Sequence, residues 1–318
     1  MDRERKATMP ASQSRHFVDA LDLSPAEYAD LFFLAERMRK NPAAFSDLCS
    51  GRIMATLFYE PSTRTRLSFE TAMLRLGGRV ITVADPATSS VAKGESLADT
   101  ISTVGGYADI IVIRHPKEGA AKLAALHSPV PLINGGDGAR EHPTQTLTDL
   151  YTILTYKGRL EDLTVVFCGD LRYGRTVHSL IKALARYPGT RFVLISPEEL
   201  RLPDPVKEEV LALREDLEFH ETPRMEEGLE RADVLYMTRI QKERFFNEED
   251  YLRLRDAYVL TADKLALANP DLIVMHPLPR VTEISPEVDG DTRAVYFRQA
   301  HLGVFVRMAL IARLLGVA

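Results

Sequence analysis

Residues 53 to 78 fix the local plan of this chain: an apolar run, Ile53 to Tyr59, then Glu60-Pro61-Ser62-Thr63-Arg64-Thr65-Arg66, then a second apolar pattern closed by Gly77-Gly78. The first run suits a strand buried on both faces, as in a parallel sheet. Phe69, Ala72, Met73 and Leu76 fall at i, i+3, i+4 and i+7 and stripe one face of a helix, which the glycine pair then stops. Strand, short turn and helix in that order make the βα unit from which doubly wound sheets are built. The turn itself carries hydroxyls, backbone N–H groups and two guanidinium forks at a helix N-terminus. Cations there oppose the helix dipole, so their presence points to an anionic ligand, and a small phosphorylated molecule suits the donors.

The unit recurs along the chain. Candidate strands at 53–59, 79–83, 109–114 and 130–134, then at 164–168, 191–196, 233–237 and 271–275, alternate with helical patterns. At 318 residues there is length for two domains with their own cores. The expected architecture is α/β: two doubly wound parallel-sheet domains joined by two bridging helices, with the active site in the cleft between them. One bridge is expected at 143–157, opened by Pro143 and stopped by Gly158; the other runs from about Arg298 to Leu315. The expected domains are 1–142 plus about 300–318, and 158–299.

Charge bounds the partners. With 40 basic and 45 acidic residues the net charge is −5, so there is no global basic field to hold nucleic acid. No apolar stretch is long enough to span a bilayer, and the charged start Met1-Asp2-Arg3-Glu4-Arg5-Lys6 lacks the apolar run of a signal peptide. Cys49 and Cys168, far apart in sequence, form neither a disulfide framework nor a metal spacing and suit a reducing cytoplasm. No metal and no cofactor is expected: Gly169-Asp170-Leu171-Arg172-Tyr173-Gly174 breaks the dinucleotide spacing, and no triphosphate loop, paired His/Cys set or nucleophile elbow occurs.

If ligands sit where strands end, the residues just past each strand should be unusual. Arg114 follows one strand, and a glycine-rich segment reaching His142 and Gln145 follows the next. Arg175, then Arg239 and Gln241, then His276-Pro277-Leu278-Pro279 follow strands of the second half. Each alone reads as a surface residue or a turn. Together they supply groups for a phosphate and a carbonyl oxygen from the first half, and bidentate partners for carboxylates from the second. The polar stretch Asp85 to Ser96, with Lys93, reads by composition as a loop with a solvated lysine.

Ser62-Thr63-Arg64-Thr65-Arg66, His142-Pro143-Thr144-Gln145 and His276-Pro277-Leu278-Pro279, in this order, resemble the carbamoyltransferases. Within them the resemblance is to the catalytic chains of aspartate carbamoyltransferases (aspartate transcarbamoylases), carried by Ser89 through Glu95, Gly169 through Ser179 and Tyr236 through Arg244. Ornithine carbamoyltransferases share the first turn, but they typically carry a cysteine where Pro277 stands and acidic groups where the second-half loops here are cationic. A degenerate anion-sensing scaffold would have lost at least one of Arg64, Arg114, His142, Arg175 or Arg239, and none is lost.

The resemblance implies carbamoyl transfer from carbamoyl phosphate to L-aspartate on the way to pyrimidines. It implies that Ser62, Thr63, Arg64 and Thr65 hold the phosphate, and that Thr65, Arg114 and His142 face the carbamoyl oxygen. Gln145 and the carbonyls of Pro277 and Leu278 would take the carbamoyl amine, while Arg175, Arg239, Gln241 and Leu278 bind aspartate. Ser89 and Lys93 would enter the site of a neighbouring subunit, which implies a homotrimer with shared sites, open to further assembly with regulatory chains or a dihydroorotase.

Overall fold

The computed structural model describes residues 16–85, 90–138, 141–240, 248–254 and 258–318. Two all-parallel sheets organise the chain. In the first half, β1 (Ile53–Phe58), β2 (Arg79–Val83), β3 (Ile110–His115) and β4 (Leu132–Asp137) lie in the order β2-β1-β3-β4. In the second, β5 (Thr164–Cys168), β6 (Arg191–Ile195), β7 (Phe219–Thr222), β8 (Val234–Met237) and β9 (Ile273–Met275) lie in the order β7-β6-β5-β8-β9. Chain order reverses direction between β1 and β3 and again between β5 and β8, and those switch points are where a doubly wound sheet opens a crevice at its strand ends.

Burial follows strand position. Central β1 and β3 are buried almost throughout, while edge strand β2 is half-exposed. The second sheet has five strands where sequence pattern indicates four. β7, Phe-His-Glu-Thr, is a short edge strand with one buried residue, so no apolar run betrays it. The fourth strand also starts two residues later than expected and ends at Asp137, because Asn134-Gly135-Gly136-Asp137 continues the extended backbone.

Helices cover the sheets: α1 (Pro25–Lys40), α2 (Thr63–Arg75), α3 (Leu97–Val104), α4 (Ala120–His127) and α5 (Pro143–Lys157) precede β5. After it come α6 (Arg175–Ala185), α7 (Asp204–Leu213), α8 (Met225–Leu229), α9 (Glu248–Leu254), α10 (Ala262–Ala266) and α11 (Tyr296–Leu314). Phe69, Ala72, Met73 and Leu76 of the α2 stripe and its cap are fully buried, each larger side chain contributing about 1.5–3 kcal/mol. α5 begins with Pro143 at its first position and ends at Gly158 in the left-handed region, φ 70°. α11 packs on α1, α2 and α5, and α5 packs on α6. Leu147, Leu150 and Ile153 of α5 and Val306 and Leu310 of α11 share one buried cluster with Phe69 on one side and Phe167 and Leu180 on the other. A continuous core therefore runs between the sheets and sets their relative placement. Cys49 and Cys168 are buried and unpaired.

Candidate active site

A cleft of about 720 Å³ opens at the carboxyl ends of both sheets. The first half contributes Ser62, Thr63, Arg64 and Thr65 after β1, Arg114 near the end of β3, and His142 and Gln145 after β4. The second contributes Arg175 after β5, Arg239 after β8 and His276 to Pro279 after β9, while Gln299 and Arg307 reach in from α11.

At the N-terminus of α2, Ser62 occupies the capping position in extended geometry, yet its side chain makes no capping hydrogen bond. The hydroxyl and the first-turn N–H groups are thus left for a ligand, at the positive end of the helix dipole. Burial lowers the Arg64 guanidinium below its usual range, and the neighbouring charge of Arg239 lowers it further. A cation from the first half therefore feels one from the second across the cleft. Arg66 takes no part: it points to Glu70 one turn along, Nε to Oε1 3.8 Å, so only one of the two arginines in the turn faces the cleft.

Arg114 is buried. Burial, then the charge of Arg175, bring its guanidinium down to about 10, still protonated at neutral pH. It donates to Gly135 O at 3.1 Å and to Glu60 Oε1 at 2.8 Å. His142, also buried, has its Nε2 3.4 Å from Arg114 Nη1, and burial followed by the charges of Arg114, Arg175 and Arg307 holds it well below the usual histidine range. It is a neutral imidazole at physiological pH. Gly136 makes this contact possible: with φ 118°, a Cβ there would lie 3.0 Å from Arg114 Nη1 and 3.5 Å from His142 Cδ2.

Glu60 joins the halves. Its carboxylate accepts from Arg114 and, at 3.0 and 3.3 Å, from Arg175, which also donates to Gly138 O. Burial alone would raise the Glu60 carboxyl; the hydrogen bonds from Arg175 and the charge of Arg114 outweigh it and hold the group below the carboxylate range. An internal anion thus sits among cations placed to receive an external one.

The loop after β9 is held by the His276 imidazole. His276 Nδ1 accepts from the Leu278 N–H at 2.8 Å, so the ring proton lies on Nε2 and is donated to Glu283 Oε1 at 2.7 Å. Leu278 stands at φ 56°, a left-handed conformation costly for a branched side chain and retained because its neighbours enforce it. Arg280 turns away to Asp289 and Tyr296. Lys93 is exposed and does not line this chain's cleft. Ser89 and Gln241 lie outside the described residues.

Glu60, Gln299 and Arg307 also line the cleft, and none was among the residues expected there. Glu60 adjoins Pro61 in the phosphate-type turn, and an acid between an apolar strand and two arginines is the one cue that could have found it. Gln299 and Arg307 sit in a helix whose periodicity reads as core, and only tertiary packing brings that helix to the cleft.

The descriptions of two family models match: "Aspartate/ornithine carbamoyltransferase, carbamoyl-P binding domain" over residues 15–155, and "Aspartate/ornithine carbamoyltransferase, Asp/Orn binding domain" over 161–314. The chain belongs to the aspartate/ornithine carbamoyltransferase family. Among its relatives, the aspartate carbamoyltransferase catalytic subunit of Clostridium botulinum strain Eklund 17B is 58% identical over 305 residues, 96% of this chain and 99% of the relative. The structure of the M. jannaschii aspartate transcarbamoylase catalytic subunit is similar with a TM-score of 0.88 at 48% identity, covering 95% of this chain and 98% of that one. Aspartate transcarbamoylase from Trypanosoma cruzi in complex with carbamoyl phosphate and aspartate is similar with a TM-score of 0.88 at 41% identity, covering 95% and 97%. That Trypanosoma cruzi structure holds both small anions.

Proposed function

We propose that the chain is an aspartate carbamoyltransferase: it transfers the carbamoyl group of carbamoyl phosphate to the amine of L-aspartate, giving N-carbamoyl-L-aspartate and phosphate, in pyrimidine biosynthesis. The observation that carries this reading is the convergence of Arg64 and Arg114 from one half with Arg175 and Arg239 from the other on a single cleft. Two small anions that repel one another need such a cluster to be held within reacting distance.

Ser62, Thr63, Arg64 and Thr65 cradle the phosphate at the α2 N-terminus, completed by Ser89 and Lys93 of a neighbouring subunit. Arg114, His142 and Thr65 donate to the carbamoyl oxygen, and Gln145 with the carbonyls of Pro277 and Leu278 accepts from the carbamoyl amine. Arg175, Arg239 and Gln241 bind the aspartate carboxylates, with Lys93 and Leu278 alongside. The unprotonated amine attacks the carbonyl carbon: the N–C bond forms, charge gathers on the carbonyl oxygen against Arg114, and the C–O bond to phosphate breaks. The departing phosphate takes the amine proton, so a neutral His142 suffices as a hydrogen-bond donor.

The carbamoyl-phosphate domain comprises 1–142 plus about 300–318 and the aspartate domain 158–299, with α5 and α11 as the bridges between them. The assembly is a cytoplasmic homotrimer with shared sites. No helix among the described residues is long and apolar enough to cross a membrane. Purified chain offered carbamoyl phosphate with aspartate or with ornithine tests the reading: carbamoylaspartate must form and citrulline must not. Arg239→Ala should raise KM for aspartate tenfold or more, on the order expected for a charge-assisted bidentate contact; an unchanged KM would remove Arg239 from the aspartate site.

A further inference from the structure

Asp149 lies on α5, fully buried, one helical turn beyond Gln145. Its Oδ1 accepts from Gln145 Nε2 at 2.7 Å and from Gln299 Nε2 at 2.6 Å, and its Oδ2 accepts from the Tyr236 hydroxyl at 2.9 Å. Three elements, α5, α11 and β8, thus meet on one carboxyl group. The charged neighbour is Arg307, itself buried on α11 and donating to Ser68 Oγ at 3.1 Å.

This arrangement leaves neither amide free to turn over. The His276 N–H donates to Gln299 Oε1 at 3.0 Å, and a backbone N–H can only donate, so the Gln299 end facing Asp149 must be the NH₂. The same oxygen of Asp149 receives Gln145, whose amide must therefore also present its NH₂ to it. Gln145 lines the cleft, and its carbonyl oxygen is the end left for a ligand. Through Gln299 the same carboxyl also tethers the start of the loop that carries the Pro277 and Leu278 carbonyls.

We propose that Asp149 is a positioning residue for recognition of the carbamoyl amine: its Oδ1 fixes the Gln145 amide with the carbonyl oxygen toward the NH₂ of the substrate and, through Gln299, holds the loop that carries the Pro277 and Leu278 carbonyls. Specificity against an acyl phosphate lacking that NH₂ follows, because only an amine can satisfy acceptors fixed in place. The device depends on an acceptor at Oδ1 rather than on charge. Burial pushes the Asp149 carboxyl up to about 7, and a proton on Oδ2 is tolerated because the Tyr236 hydroxyl can reverse and accept it.

Acetyl phosphate, with CH₃ in place of NH₂, is the probe. The ratio of its inhibition constant to KM for carbamoyl phosphate reads amine recognition alone, since both ligands share the phosphate and the carbonyl. Asp149→Ala should lower that ratio about tenfold, the worth of one well-made hydrogen bond, with the acetyl phosphate constant moving less than threefold. Asp149→Asn, which keeps an acceptor at Oδ1, should restore the ratio to within threefold of the parent. In a Gln145→Ala background, Asp149→Ala should lower the ratio less than it does in the parent, and an undiminished effect would remove Gln145 from the route. Equal loss for both ligands would mean a merely structural role and overturn the proposal.

Should Asp149→Ala fail to fold, the side-chain amide resonances of Gln145 in selectively ¹⁵N-labelled protein decide the matter. They must shift in Asp149→Asn, and unmoved signals would refute the contact. The proposal rests on the carbamoyl-transfer reading. A parent chain with no preference for carbamoyl over acetyl phosphate would overturn that reading first, whereas a preference that survives Asp149→Ala would overturn only the role of Asp149.

Discussion

His142 shows how placement changes what a side chain can do. An exposed histidine is half-charged near pH 6.5, but burial and three nearby guanidinium groups keep this one neutral. Its ¹³C and ¹⁵N shifts should remain those of a neutral ring down to pH 6 and below, and a ring that protonates above pH 6.5 would contradict the electrostatics. The stability consequence has a definite sign. The folded pKa lies below the unfolded one, so the contribution of His142 is full above about 6.5 and is lost as pH falls, because the unfolded chain takes up a proton that the folded one refuses. His142→Gln should accordingly flatten the decline of unfolding free energy below pH 6.5 relative to the parent. If Arg114 takes the proposed place against the carbamoyl oxygen, Arg114→Ala should cut kcat by about 10²–10³; steady-state turnover with both substrates saturating checks it, and a loss smaller than tenfold would place the oxyanion elsewhere.

At the scale of elements, the site is a property of strand ends. β3, β4, β5, β8 and β9 each deliver a residue to the cleft no more than seven positions past the strand end, so the residues that follow each apolar run include Arg114, His142, Arg175, Arg239 and Leu278. The reach of β4 was harder to read. Its last residues, Asn134-Gly135-Gly136-Asp137, look like a loop by composition, yet they stay in the sheet so that Gly136 can pass under Arg114 and His142. Gly136→Ala should therefore cost about 1–3 kcal/mol for the unfavourable φ and, by displacing the Arg114 guanidinium, lower kcat more than it raises KM for carbamoyl phosphate. Denaturant melts and initial rates on one preparation separate the two effects; unaltered kinetics would show that Arg114 accommodates the extra methyl group. β7 escaped the sequence pattern for the opposite reason: an edge strand with polar faces needs no apolar run, and its position beside β6 supplies its hydrogen bonds.

At the scale of the whole molecule, the buried cluster that α5 and α11 share runs between the two sheets, and Glu60 ties arginines of the two halves together across the opening. Lys93, exposed on this chain, stands outside its own cleft, as it should if it serves a neighbour. Mixing an inactive Lys93→Ala chain with an inactive Arg64→Ala chain, after dissociation and reassembly, should then recover part of the parent activity, because some mixed assemblies would contain a site with both residues intact. Activity no greater than that of the separate variants would refute sharing and leave Lys93 a solvated surface residue.

The sequence alone determined the α/β class, the two-sheet plan, the hydroxyl-and-arginine turn at a helix N-terminus and most of the cationic groups of the cleft, because each depends on the order of residues within one strand–turn–helix unit. It also places Ser62 to Thr65 on a helix N-terminus, where the structure has them. What only the tertiary structure decided is which of those groups meet. Local pattern could not separate Arg64 from Arg66, since both sit on the same first turn and only the position of Glu70 and the cleft tells them apart. Nor could it show that Glu60 would bind two arginines, or that Asp149, Tyr236 and Gln299, separated by up to 150 positions, would converge on one carboxyl group. Those contacts form where the ends of two sheets and two long helices pack together, and such long-range packing leaves no periodic trace in the chain.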